Sequence, residues 1–173
     1  MRSDAAGRIA SVGVLGEGRR GEVARAPFQV LVLLHRQDTW GGIKYGLFRR
    51  RDHDYWQGIA GGGEGAETPL EAAYRETAEE AGLGPDDVVV NQLMAFAMIP
   101  AVQVGGLLWG PAVPVIPEYS FGAKCDARAE VTMSLEHVEF RWATYATAAS
   151  LLKWDSNRTA LWELDYRLSA LES

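Results

Sequence analysis

Cysteine is almost absent from this 173-residue chain: Cys125 stands alone, so no disulfide can close within it. A small packing role suits that residue better than a nucleophilic one. A chain without disulfides is expected in a reducing compartment, read here as the cytoplasm. No run of 18 apolar residues is present to form a membrane-spanning helix, and the N-terminal region lacks the apolar core of a signal peptide. Positive charge is also scarce. With 17 Lys and Arg against 23 Asp and Glu the net charge is −6, which argues against gripping nucleic acid through its phosphates. No membrane partner is expected either. There is no repeat and no linker composition, so residues 1–173 read as a single domain. Residues 1–26, rich in Gly and Arg, read as an N-terminal arm, flexible or an edge strand serving a partner subunit, with a weak strand signal at Ile9–Leu15.

Hydrophobic content of 47% with 23% charged residues is enough for a substantial core. Phe28–His35 reads FQVLVLLH, a near-continuous apolar run suited to a strand buried on both faces. Further strands are expected at Ile43–Arg51, Tyr55–Ala60, Val88–Ile99 (with a bulge), Val115–Lys124 and Phe140–Ala143; Pro100–Pro114 reads as a loop or hairpin. Thr68-Pro69-Leu70-Glu71 carries a capping box with proline at the first helical position. Gly82 and the Gly84-Pro85 pair should end that helix. Two more helices are expected at Thr144–Lys153 and Ser156–Leu168, each with a hydroxyl N-cap candidate. The pattern is a mixed sheet with helices on both faces, an α/β or α+β fold.

The stretch from Gly61 to Leu83, GGGEGAETPLEAAYRETAEEAGL, organises the rest. At about 100° per residue, Glu76, Glu79 and Glu80 fall within an arc of about 100° on the helix. Leu70, Ala73, Tyr74, Thr77 and Ala81 form an apolar stripe beside it. Like charges at this spacing destabilise a helix unless something offsets them. Three carboxylates on one face, preceded by a loop at Gly61-Gly62-Gly63 whose backbone can approach a ligand closely, suit a hard divalent cation bridging to phosphate.

These residues resemble the signature of the Nudix hydrolases: Gly61, Glu67, Arg75, Glu76, Glu79, Glu80, Gly82 and Leu83 fall in its register. Thr77 departs from the usual aliphatic residue while keeping the shape of valine. The resemblance implies an α/β/α Nudix sandwich around a mixed sheet and hydrolysis of a nucleoside diphosphate linked to another group, with Mg2+ or Mn2+. It also implies metal-ligand roles for Glu76 and Glu80, a ligand or base role for Glu79, and a backbone ligand at Gly61. Glu67 and Arg75 would tie the loop to the helix, and a homodimer is a family-level expectation.

Tyr55-Trp56-Gln57, Glu136-His137, Phe140-Arg141-Trp142 and Ser156-Asn157-Arg158 are similar to the bacterial branch that acts on dATP or dihydroneopterin triphosphate. In that branch a distant loop glutamate reaches the metals. Carried over, this is Glu136, with Glu118 and Glu139 as competitors. His137 is read as a base, a polariser or a structural hydrogen-bonder. Arg49 is the candidate for substrate phosphate, and period-2 alternation points Arg50 away from Arg49 and Arg51. Trp56 is the candidate for stacking on a base, with core packing as the competing role; Trp142, Trp154 and Trp162 are assigned to packing. The expected substrate is a nucleoside or pteridine triphosphate. The alternatives are an oxidised dNTP, a dinucleoside polyphosphate or ADP-ribose, or a nucleotide-binding module without turnover.

Overall fold

The computed structural model describes residues 24–106 and 108–170. Its elements are β1 (Arg25–Gln37), β2 (Ile43–Arg50), β3 (Trp56–Gln57), β4 (Ile59–Glu64), α1 (Pro69–Ala81), β5 (Val88–Pro100), α2 (Ala101–Val104), β6 (Val115–Cys125), β7 (His137–Ala143), α3 (Tyr145–Leu151) and α4 (Asp155–Ala170). The architecture is the mixed α/β sandwich expected from the sequence.

The apolar run of β1 is the centre of a seven-stranded sheet. Val30, Val32 and Leu34 face the core under α1, with Phe48, Ile59, Ala72, Ala73 and Phe121. Leu31 and Leu33 face the opposite core with Leu93, Leu161 and Leu164, under α3 and α4. This two-sided burial is why β1 lacks polar alternation. One edge of β1 pairs in parallel with β6. Its other edge is shared, because β4 pairs with residues up to Val32 and β2 takes over from Leu34. The sheet therefore forks beside β1, and the site described below opens at the fork.

Several local expectations need correction. Gly61, Gly62 and Gly63 are not a loop but part of β4, paired with β1. The connection to α1 is instead the short segment from Gly65 to Glu67. Leu70 is 44% exposed and leaves the apolar stripe, whereas Glu76 and Glu80 join the buried face. Pro100–Pro114 contains the short helix α2, and Trp109 Nε1 donates to the Arg25 carbonyl at 2.9 Å. Arg25 and Ala26, assigned to the arm, begin β1; the Ile9–Leu15 signal lies outside the described residues. α4 begins at Asp155, so Ser156 lies inside its first turn and is not its cap. β7 starts three residues earlier than expected, at His137. Among the described residues no helix is long and apolar enough to cross a membrane.

Candidate functional site

α1 forms where its caps dictate. The Thr68 hydroxyl accepts from the Glu71 N–H, Glu71 accepts from the Thr68 N–H, and Pro69 supplies a ready φ at the first position. Gly82 ends the helix in the left-handed region (φ 67°) and donates to the Ala78 carbonyl. Thr77 is fully buried, and its hydroxyl is satisfied by the Ala73 carbonyl at 2.7 Å. Threonine thus fills an aliphatic position without leaving a buried donor unpaired.

Arg75 ties the segments together. Its guanidinium donates to both carboxylate oxygens of Glu67 (2.8 and 3.0 Å) and to the Gly62 carbonyl (2.7 Å). The same group reaches Glu76 Oε1 at 2.9 Å and Glu79 Oε2 at 3.1 Å. Hydrogen bonding from Arg75 holds the Glu67 carboxyl below the usual carboxylate range. Glu76 behaves in the opposite way. Burial, reinforced by Glu80 and Glu79, outweighs Arg75 and pushes its carboxyl up to about 7. Glu80 is also raised, chiefly by burial, although His137 Nε2 lies 2.7 Å from its Oε2. Glu80 finds no help from the helix, because α1 has no basic residue in its last turn and its C-terminal dipole end repels anions.

Gly61 explains why the packing is so close. A Cβ there would sit 1.8 Å from the Glu76 carboxyl carbon. Only glycine lets that carboxylate lie against the β4 backbone. The loop before β7 then closes over the end of α1, with Thr132 N–H on the Ala81 carbonyl and Ser134 N–H on the Glu80 carbonyl. Those two bonds deliver Glu136 and His137, remote in sequence, to the neighbourhood of Glu80.

A cavity of about 1750 Å³ opens here, lined by Gly61, Glu76, Glu79, Glu80 and Glu136, with Arg50 on its wall. Of these acids Glu79 and Glu136 are exposed, at 57% and 59%. Arg50 pairs with Asp52 at 2.7 Å and Glu136 at 3.2 Å. Glu118 also lines it, whereas Glu139 turns away to pair with Arg49 and Arg141.

Two proposed substrate contacts are not brought to this cavity. Arg49 pairs with Asp54 and Glu139 outside the lining, and Arg50 is the arginine that faces in. Trp56 packs on the α3 and α4 side, with the Arg141 guanidinium 5.0 Å from its ring. Trp154, assigned to packing, instead lines the cavity edge-on to Tyr55 at 5.5 Å. Gln29 and Tyr55 also line the cavity, and nothing in their local sequence marks them as ligand-facing. The opposite phase of Arg50 on its strand was the one available signal.

The donor chemistry fits a hard divalent cation: carboxylates whose burial outweighs their pairing with Arg75 and His137, beside a backbone carbonyl. As the side chains stand, among the described residues no group of three or more His, Cys, Asp or Glu converges to hold a metal. Arg75 accounts for part of this, since Glu76 and Glu79 each turn one oxygen to it.

A family model described as NUDIX domain matches residues 8–162. The chain belongs to the Nudix family. As a Nudix hydrolase it is similar to the dihydroneopterin triphosphate diphosphatase of Escherichia coli (strain K12), 31% identical over 145 residues, which cover 81% of this chain and 93% of that protein. Among solved structures, one from Listeria monocytogenes described as a NUDIX hydrolase superposes with a TM-score of 0.74 at 41% identity, covering 84% of this chain and 97% of its own. The E. coli dihydroneopterin triphosphate pyrophosphohydrolase gives a TM-score of 0.65 at 26% identity, covering 81% and 95%. α1 is thus the Nudix helix of this hydrolase, and Arg75 the centre of its hydrogen bonding to β4.

Proposed function

We propose that this Nudix hydrolase cleaves a nucleoside or pteridine triphosphate to the monophosphate and pyrophosphate, with Mg2+ or, in its place, Mn2+. The observation that carries the reading is the pair Glu76 and Glu80: two carboxylates, 8% and 4% exposed, one helical turn apart on α1 and lining the large cavity. Such an arrangement is unfavourable alone and becomes favourable around a cation. The E. coli relative named dihydroneopterin triphosphate diphosphatase supports the substrate class.

Glu76 and Glu80 would hold the ion, with Glu79, Glu136 and the Gly61 carbonyl as the remaining protein donors. Bound there, a divalent cation lowers the pKa of a water and offsets charge developing on the phosphates. The protein's own work is then positioning. Arg75 keeps β4 and the Nudix helix in fixed relation, and His137 and the Ala60 backbone hold the Glu80 carboxylate in place. Arg50 presents a planar fork to phosphate from the opposite wall. Glu79, exposed on the cavity wall, completes the ligand set or takes the proton of the attacking water. A cytoplasmic setting suits Cys125, whose buried thiol is pushed up to about 12 and is inert to disulfide exchange.

The test is a panel of dATP, other dNTPs, dihydroneopterin triphosphate, ADP-ribose and dinucleoside polyphosphates with phosphorus products identified. Pyrophosphate plus monophosphate, dependent on magnesium and lost in Glu80→Gln with the fold intact, is the expected outcome. Near-full activity of that variant at saturating magnesium contradicts the assignment.

A further inference from the structure

β3 is two residues long and sends its side chains to opposite faces of the sheet. Trp56 goes to the side covered by α3 and α4. Gln57 stands directly opposite Phe48 of β2 and so shares the Phe48 face, the one under α1. Its surroundings belong to the acidic end of the cavity. The His137 ring packs on Phe48 at 4.9 Å, and His137 Nε2 lies 2.7 Å from Glu80 Oε2. Arg50, two residues past Phe48, is the diagonal neighbour of Gln57 on the same face. Gln57 and Arg50 both line the cavity.

Gln57 is 5% exposed, yet among the described residues its side-chain amide makes no hydrogen bond. The other buried amides are engaged: Gln29 donates to Glu118, and Asn157 accepts from the Gly58 N–H. Nor is the Gln57 amide walled in. His137 Nδ1 is sealed without a partner, whereas Gln57 Nε2 and Oε1 both keep a path to the cavity. A buried amide without a partner is disfavoured and rare, and an apolar side chain of the same length would carry no such penalty. The amide is therefore placed for a partner that arrives through the cavity.

We propose that Gln57 binds the phosphate chain of the substrate, its Nε2 donating to a phosphate oxygen beside the Arg50 guanidinium. The face decides between phosphate and heterocycle. Flat apolar surface suited to a ring is supplied by Trp154, between α3 and α4, with Tyr55 edge-on to it, whereas Gln57 points to the α1 side, where the acids and Arg50 gather. Arg50 already directs donors at Asp52 and Glu136. The amide adds a donor that no carboxylate occupies, and it adds no charge for a neighbouring acid to neutralise.

This inference rests on the reading of the cavity as a triphosphate site. Its test is calorimetric titration of inorganic tripolyphosphate, a phosphate chain without a base, in the presence of Mg2+, into wild type and Gln57→Met. Methionine keeps the length and removes the amide. The variant should bind tripolyphosphate about tenfold or more weakly, as for loss of one hydrogen bond to a charged group. Its urea midpoint should equal or exceed that of wild type, because a buried unpaired amide is gone; a merely structural amide would lower the midpoint and leave the affinity alone. Equal affinity of the two proteins overturns the proposal. So does weaker binding of α,β-methylene dATP with unchanged tripolyphosphate affinity, which would put the amide on the base. If Gln57→Met does not fold, Gln57→Asn, which draws the amide back by one methylene, is held to the same loss of affinity. Failure of wild type to bind either tripolyphosphate or α,β-methylene dATP overturns the triphosphate reading itself, and this inference with it.

Discussion

Replacing Glu76 with Gln should stabilise the metal-free protein at pH 8 and leave it nearly unchanged at pH 5. The Glu76 carboxyl is raised from 4.5 to about 7 in the folded protein, first by burial and then by Glu80 and Glu79. Below about pH 4.5 the group is protonated whether the chain is folded or not. As pH rises toward 7 the unfolded chain loses the proton first, so its ionisation favours unfolding, and the full penalty is present above 7. A displacement of this size corresponds to about 3 kcal/mol at 1.36 kcal/mol per pH unit. Gln keeps the volume and an oxygen for Arg75 but cannot ionise, so its stability should lack this slope. Urea unfolding in EDTA at several pH values between 5 and 8 measures the difference directly. Saturating magnesium at pH 8 should recover stability in wild type and recover less in the variant. A difference between wild type and Glu76→Gln that stays constant from pH 5 to pH 8 would refute the reasoning, since Glu76 would then not be held in an environment that opposes its charge.

Gly61→Ala places a methyl 1.8 Å from the Glu76 carboxyl carbon; it should cost about 1–3 kcal/mol by urea unfolding and most of the turnover, and wild-type activity would contradict the close approach. Arg50→Ala should raise KM for triphosphate substrates about tenfold or more, as expected for loss of a charged phosphate contact, while Arg49→Ala, whose partners lie outside the cavity, should change KM by no more than about twofold. Trp56→Ala should lower stability by about 2 kcal/mol, as for a half-buried aromatic, with KM preserved; a large rise in KM would restore its role on the base.

The parts of the fold that could be read from sequence are those with local causes. Thr68, Pro69, Glu71 and Gly82 fix the ends of α1 through bonds within a few residues, and β1 announces its two-sided burial by composition. What escaped depends on which groups approach from elsewhere. The glycine triplet reads as a loop because glycine has poor strand propensity, yet it sits in β4. There the Glu76 carboxylate, the Arg25 guanidinium and the Phe28 ring occupy the space where Cβ atoms would be. Helical phase identified Glu76 and Glu80 as one stripe but not that the stripe would be buried. Alternation separated Arg50 from Arg49 without saying which faces the cavity; the answer lies in the pairing of β2 with β3 and β7. Trp56 and Trp154 look equivalent in sequence, and only the placement of β3 beside the α3–α4 corner tells them apart.

The central claim is that buried acids at the end of α1 exist to hold a divalent cation. Titrating Mn2+ into the protein and following free ion by electron paramagnetic resonance, without substrate, tests it most directly. Saturable binding to wild type that competes with Mg2+ and disappears in the Glu76→Gln, Glu80→Gln double variant is the predicted result. Equal Mn2+ binding by the folded double variant, or none by wild type, would contradict it.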